Sequence, residues 1–309
     1  MKRSTATPQA TAVMRWLPTV TLAATLIACG GGSAGGSPGS AAISYTGSTA
    51  AAAISGSNAG ALAGAAATST VAGAGVTDAL GAVQISEFAV ARDANHTTAR
   101  VVERIVTQKL TSTGGSSLLM GIGTGSEVIA GPCGGSAIVA ISSASATSIS
   151  GTVSFSNFCE PDVIFVSGTV AFTADVTLVG NPVTAITINA LSITTSDGDK
   201  LSVYVRDAGA VYWVHGLSIT ITALPTYHEV TVSGTFYHPV HGHVTVSTPT
   251  TLRIFVTDRY PSSGSLLLTD AHNRRALITA LDAMSYQLQI DADANGTYET
   301  ATTGLWSDL

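Results

Sequence analysis

His238-Pro239-Val240-His241-Gly242-His243 packs three imidazoles into six residues. On a strand His241 and His243 point the same way, and His238 can fold back across the Pro-Val-His-Gly turn, so a zinc or copper site is geometrically possible. Such a metal takes three or four ligands, and no carboxylate lies within the motif. His215 and His228 could add to the set only if neighbouring strands aligned. Pro239 and Gly242 explain the same segment as a shaped hairpin whose histidines edge a turn. A second set is Asp291-Ala292-Asp293-Ala294-Asn295-Gly296. Its oxygens fall at positions 1, 3 and 5, with the turn glycine at 6, as in the first half of an EF-hand loop. Position 12, which needs a bidentate Glu, is Thr302, and the nearest acid is Glu299 at position 9. The flanks alternate as strands rather than helices. Two readings follow: a weak calcium site of Asp291, Asp293, Asn295 and Glu299, or an Asx-rich hairpin turn.

Nucleophilic chemistry has less support. Gly31-Gly32-Ser33-Ala34-Gly35 matches the G-x-S-x-G pattern of hydrolases, but that serine needs a strand before it and a helix after it. Its surroundings, a run of Gly and Ser, can form neither. Gly121-Ile122-Gly123-Thr124-Gly125-Ser126 lacks the spacing of a dinucleotide or phosphate loop and has no Lys. No serine, cysteine or threonine can be joined to a base and an orienting acid, so the expectation is a protein without catalytic residues.

The elements that must position these groups are mostly strands. From Ser116 onward the apolar period is two: Val170, Phe172, Ala174, Val176 and Leu178 alternate with Thr173, Asp175 and Thr177. The same pattern recurs at Leu217, Ile219 and Ile221, at Val230, Val232 and Phe236, and at Tyr286, Leu288 and Ile290. One apolar face and one Ser/Thr-rich face mark antiparallel sheets wet on one side. Asp197-Gly198-Asp199, Gly180-Asn181-Pro182 and Pro261-Ser262-Ser263-Gly264 read as hairpin signals. Roughly a dozen strands at this spacing suit a sandwich, a barrel or a meander. Before them, Leu80, Val83 and Phe88, then Val101, Val102, Ile105, Val106 and Leu110, recur at three- and four-residue spacings. A helical segment is therefore expected at about 77–112, packed on the sheet by its apolar stripe.

At the N-terminus Lys2, Arg3 and Arg15 precede an apolar run from Trp16 to Ala28, and no acid occurs before Cys29. The run is shorter than the roughly 20 apolar residues that cross a bilayer. Leu26-Ile27-Ala28-Cys29-Gly30 resembles a bacterial lipoprotein signal. That resemblance implies cleavage before Cys29, diacylglycerol on its sulfur, and, with Gly30 following, the outer membrane of a two-membrane bacterium. Removing three of the 13 basic residues leaves 10 against 19 acidic ones, a net charge of −9. Nucleic acid is then excluded as a partner, since phosphate binding needs clustered Lys and Arg. Residues 29–75 are rich in Gly, Ser and Ala and are expected to form a tether, irregular or weakly helical. With Cys29 assigned to lipid, Cys133 and Cys159 remain as an even pair, for which a structural disulfide is expected in an oxidising compartment. A redox pair would need closer spacing and a cation beside the thiolate, and neither is visible.

The lipobox at Cys29, Cys133-Gly134-Gly135-Ser136, Phe155-Ser156-Asn157-Phe158-Cys159, Gly234-Thr235-Phe236-Tyr237-His238-Pro239, His241-Gly242-His243-Val244-Thr245-Val246, Asp291 to Glu299 and Leu305-Trp306-Ser307-Asp308-Leu309 together resemble a group of uncharacterised β-rich bacterial lipoproteins. The likeness spans most of Thr77 to Leu309 and implies a location and an architecture, with no activity attached. The expected fold is mainly β: an antiparallel curved sheet, sandwich or meander over 76–309 with one helical segment on it, behind a signal peptide at 1–28. The expected function is that of a lipid-anchored envelope protein, non-enzymatic, with a structural or partner-binding role. The alternative is a carrier or chaperone holding a hydrophobic ligand between helix and sheet; a cavity there would favour it.

Overall fold

Apolar residues at every second position give a strand one face that must be buried, and this sequence repeats that pattern along most of its length. The computed structural model describes residues 43–74, 126–160, 164–179, 185–195, 198, 200–207, 209–258 and 260–308. All of them fall in one unit, Gly39–Leu309. Among the described residues one helix, α1 (Ala59–Ala74), precedes the strands. These are β1 (Ser126–Ala130), β2 (Ser136–Ala144), β3 (Ser148–Glu160), β4 (Ile164–Val179), β5 (Ala185–Thr195), β6 (Leu201–Asp207), β7 (Ala210–Ala223), β8 (Tyr227–His238), β9 (Gly242–Phe255), β10 (Ser263–Thr269), β11 (Arg275–Ala280), β12 (Ser285–Asp291) and β13 (Thr300–Leu305), with a 3-10 turn at Trp306–Asp308.

They form one antiparallel sheet in the order β1-β2-β3-β4-β5-β7-β8-β9-β10-β11-β12-β13, with β6 also between β4 and β7. The meander and its helix match the expected class. The alternating positions are buried as the pattern requires: Val170, Phe172, Ala174 and Val176 on β4, Leu217, Ile219 and Ile221 on β7, Val230, Val232 and Phe236 on β8, and Tyr286, Leu288 and Ile290 on β12. β4 and β5 pair as far as Val179 and Ala185, so their connection joins neighbours as Gly180-Asn181-Pro182 predicts. Asp197-Gly198-Asp199 does not mark a hairpin. β5 and β6 are not paired with each other: β4 meets β5 through Val170–Val179 and β6 through Ile164–Ser167, so β5 and β6 run the same way in succession.

The sheet curls. α1 touches β4, β6, β7, β8 and β11, and six strand spacings of about 4.8 Å would separate β4 from β11 by about 29 Å in a flat sheet. The helix, about 24 Å long, is also buried on most of its sides, which one flat face of a sheet cannot achieve. Register shifts supply the curvature, on β2, β3, β5, β6, β7, β8 and β9 among others, since a bulge bends the strand and increases its twist. The helix suits its place. Ala59, Leu62, Ala63, Ala66, Ala67, Ser69 and Thr70 are buried, so most of its circumference faces protein. Its alanines combine the best helix propensity with the smallest apolar side chain, which keeps the helix thin enough for the hollow.

This helix lies inside the stretch expected to be a tether. Residues 43–74 belong to the domain, and the tether expectation is corrected there. A low count of large apolar residues suits a linker, but small side chains are also what the inside of a tightly curled sheet can hold. The helical segment expected at 77–112, the signal peptide at 1–28 and Cys29 lie outside the described residues. Among the described residues no helix is long and apolar enough to cross a membrane.

Candidate functional site

Two hairpin turns carry the polar motifs, β12–β13 at the end of the sheet and β8–β9 within it. The β12–β13 hairpin carries Asp291 to Glu299. The strands pair from Ile290↔Thr300 onward, and Glu299 N–H donates to Ile290 O at 3.0 Å, which folds Glu299 back over the start of the loop. Its Oε2 accepts from Ala292 N at 2.9 Å. Gly296 N donates to Asp291 Oδ2 at 3.1 Å, and Asn295 N donates to Asp293 Oδ1 at 3.1 Å. Ala294 and Gly296 take φ of 62° and 89°, a left-handed backbone that suits glycine and that an alanine adopts at some cost. The result brings Asp291, Asp293 and Glu299 together, each offering an oxygen within 4.8 Å of the others. Asn295 is used by the loop itself: its Nδ2 donates to Asp293 Oδ2 at 2.9 Å and its Oδ1 accepts from Thr297 N at 2.7 Å. Asp291 is 0% exposed, and its Oδ1 has no hydrogen-bond partner. Three hard oxygen donors around one point suit a divalent cation.

The histidine motif is the β8–β9 hairpin turn. His238 faces the interior against Tyr212, with ring centroids 5.4 Å apart, and lies 4.5 Å from the His241 ring. Its Nδ1 accepts from Val240 N at 3.1 Å and His241 N at 3.2 Å, so the neutral ring carries its proton on Nε2. Burial, and then His241, pull its pKa down to about 4. His243 sits across from Tyr237 and packs on it. Because adjacent residues on a strand point to opposite faces, Tyr237 and His243 belong to the face that His238 avoids. The motif thus brings His238 and His241 together and leaves His243 apart. Among the described residues, three metal-ligating groups converge at Asp291, Asp293 and Glu299.

What the hairpin holds is the chain's own N-terminal segment. Ser48 N donates to Pro239 O, His243 N to Ala50 O and Ala52 N to His243 O, each at 2.9 Å. The Tyr45 hydroxyl donates to His238 O at 3.0 Å, and the His243 Nδ1 lies 3.1 Å from Thr49 O. Two glycines permit the approach: a Cβ on Gly47 would lie 2.6 Å from Pro239 Cα, and one on Gly242 would lie within 2.5 Å of Ala50 O. Tyr45 then rests on Trp213 and Tyr237, centroids 5.9 and 5.7 Å away. These belong to a row of directly opposed residues, Tyr204, Trp213, Tyr237 and His243, that crosses β6 to β9. Burial, with Tyr237 second, raises the Tyr45 pKa to about 12.

Asp270, in the β10–β11 turn, completes this clasp. Its carboxylate accepts from Ile54 N at 2.9 Å, His272 N at 2.7 Å, Arg274 N at 3.0 Å and Arg274 Nε at 2.7 Å. Sequence reading passed over it because it is a lone acid in a turn, and its partner Ile54 is 216 residues away. Beyond Ile54, Ser55 and Asn58 organise the entry to α1: Ser55 O accepts from Asn58 N at 3.2 Å and Ala59 N at 2.9 Å, and Asn58 Oδ1 reaches back to accept from Ser55 N at 2.9 Å, the return half of a capping box.

The expected disulfide is present. Cys133 in the β1–β2 turn is bonded to Cys159 near the end of β3, with Cα atoms 5.3 Å apart and a sequence separation of 26. Cys159 N also donates to Gly134 O at 3.0 Å, and a Cβ on Gly135 would collide with Asn157 O, so the turn packs backbone to backbone. Between α1 and the sheet, an apolar crevice lined by Ala67, Leu252, Leu266, Ile278 and Trp306 holds about 10 Å³, about one water at most. Compared with known proteins, the chain matches no family model, no curated protein and no solved structure.

Proposed function

We propose that the chain is a lipid-anchored protein of the bacterial cell envelope that acts through its outer surface, as a structural or partner-binding component, and not by catalysis. The observation that carries this reading is the enclosed helix: Leu62, Ala63, Ala66 and Ala67 of α1 are buried, and among the described residues the crevice between α1 and the sheet holds about 10 Å³, where a hydrophobic carrier needs several hundred. The Cys133–Cys159 disulfide supports an oxidising compartment. In the densest polar motif His243 and the His238 carbonyl hold residues 45–52, and the His238 ring closes its own turn on Val240 and His241, which favours a structural role over chemistry.

The lipobox resemblance at Cys29 supplies the anchor. Fourteen residue steps separate Cys29 from Ile43, where the described chain begins, and at about 3.5 Å per residue they reach at most about 50 Å. The domain is thereby kept close to the membrane it is anchored to, far closer than a tether through residue 75 would keep it. The test is expression of the full chain with a labelled fatty acid, followed by membrane fractionation. Label is expected on the wild-type protein in the membrane fraction, and Cys29→Ala should lose the label and leave the membrane. An unlabelled wild type, or a Cys29→Ala variant that stays membrane-bound, would refute the anchor; stoichiometric lipid in the core by native mass spectrometry would restore the carrier.

A further inference from the structure

We propose that Asp291, Asp293 and Glu299 bind a calcium ion that fastens the β12–β13 hairpin at the edge of the sheet. Oxygens bound to one ion at about 2.4 Å can lie at most about 4.8 Å apart, and the three carboxylates meet that limit mutually. Acidic residues crowd together on many surfaces, so spacing alone would not be enough. Asp291 adds an independent observation: it is 0% exposed, one oxygen accepts from Gly296 N, and the other, Oδ1, is buried with no partner. A buried carboxylate oxygen left unpaired is costly. Arg275 stands opposite Asp291 in the β11–β12 register, yet the ion pairs among the described residues are Arg253–Glu229 and Arg274–Asp270. A cation between the three carboxylates supplies the missing partner for Oδ1 and neutralises their mutual repulsion.

The donor set selects the ion. All three ligands are carboxylates, without imidazole or thiolate, which disfavours zinc and copper. The ligands come from an irregular loop with two left-handed residues, a flexible frame that calcium accepts and that magnesium, which requires a near-ideal octahedron at 2.0–2.1 Å, does not. The hairpin also accounts for the displaced acid. In an EF-hand a second helix presents the twelfth residue; here the return strand begins at Thr300, so the acid that reaches the ion is the one just before it, Glu299. With no bidentate ligand at position 12 and with Asn295 Oδ1 accepting from Thr297 N, affinity should fall in the weak extracellular class, with Kd of about 0.1–1 mM.

The test is titration of calcium chloride, and separately magnesium chloride, into the full chain purified in detergent and stripped with chelator, read by calorimetry and by thermal melting. Calcium at about 5 mM is expected to raise Tm by several degrees, with magnesium giving less than about a third of that shift. Asp293→Asn and Glu299→Gln, both at exposed positions, should fold normally by circular dichroism and weaken calcium binding at least about tenfold each. Absence of heat and of any Tm change in the wild type up to about 10 mM calcium would overturn the proposal. So would equal responses to calcium and magnesium, or undiminished affinity in the double variant. The wild-type titration decides the matter even if a variant fails to fold.

Discussion

Replacing Asp270 by Ala should loosen the N-terminal segment from the sheet. The Asp270 side chain is 0% exposed and that of Arg274 24%. One carboxylate there satisfies Ile54 N, two amides of its own turn and the Arg274 guanidinium. Deleting it leaves a partly buried cation without its counter-charge and three donors without their acceptor. Removal of one partner of a buried pair costs about 3–5 kcal/mol; since Arg274 is partly solvated, the lower end, about 3 kcal/mol, is the expectation. That is on the order of 10 °C in Tm for a domain of this size. Urea denaturation at pH 7 measures the loss, and amide exchange localises it: Ile54 and Ala52 should lose protection well before the amides of β7 and β8. The pH dependence has a definite sign. Burial alone would raise the Asp270 pKa, but the hydrogen bonds from Ile54, His272 and Arg274 outweigh it and hold the carboxyl below its usual 3.8. Its contribution is therefore complete above the unfolded pKa and is lost as the pH falls through the depressed folded value. An Asp270→Ala protein within about 1 kcal/mol of wild type, or one in which the Ile54 amide stays protected, would refute the clasp.

His238 should make the protein sensitive to mild acid. Its folded pKa of about 4 lies below the ordinary 6.5, so between those values the unfolded chain binds the extra proton and stability falls with the pH. The full shift is worth about 3 kcal/mol, reduced to about 2 for partial solvent screening. His238→Asn, whose Oδ1 can accept from the same turn amides, should flatten the stability difference between pH 7 and pH 4.5 relative to wild type; an unchanged slope would remove His238 as its source. Reduction of Cys133–Cys159, or the double Ala variant, removes a closed loop of 26 residues and should cost about 3 kcal/mol by the loop-closure argument. A melting point unmoved by reductant, with free thiols verified by alkylation, would contradict that.

The strands were legible because period-two burial depends on neighbours in sequence. Phe172, Ile219, Phe236 and Leu288 all face the interior as their alternation required. The Cys133–Cys159 pair followed once Cys29 was set aside. Three features were not legible, for physical reasons. The helix Ala59–Ala74 has hardly any stripe to detect, since it is buried on most sides and built from small residues; composition alone cannot distinguish a linker from a thin buried helix. Asp197-Gly198-Asp199 has hairpin chemistry, yet it separates β5 from β6, which follow one another along the same edge of β4; local turn propensity does not reveal which strands will pair. The histidine motif forms the hairpin turn that Pro239 and Gly242 indicate, but its backbone bonds to residues 48–52 are not legible, because no local pattern announces such distant partners.

The position of α1 also sets the order in which this fold can form. The helix is near the start of the domain, but the strands that bury it run from β4 to β11, and the acceptor for Ile54 N arrives only with Asp270. In isolation α1 is a 16-residue helix of Ala, Gly, Ser and Thr with few large side chains, close to the length at which helices in water are marginal. It gains its stabilisation from the curled sheet, and the sheet has no filled hollow without it. Closing the core therefore requires contacts across more than 200 residues, an arrangement that folds slowly because loop-closure entropy must be overcome before the contacts form. The β2–β3–β4 meander and the disulfide can form early, since their partners are adjacent in sequence. The clasp of residues 45–54 must form late. Residues 45–54 are held by two turns, Pro239–Gly242 and Asp270–Arg274, both of which belong to the C-terminal half of the sheet.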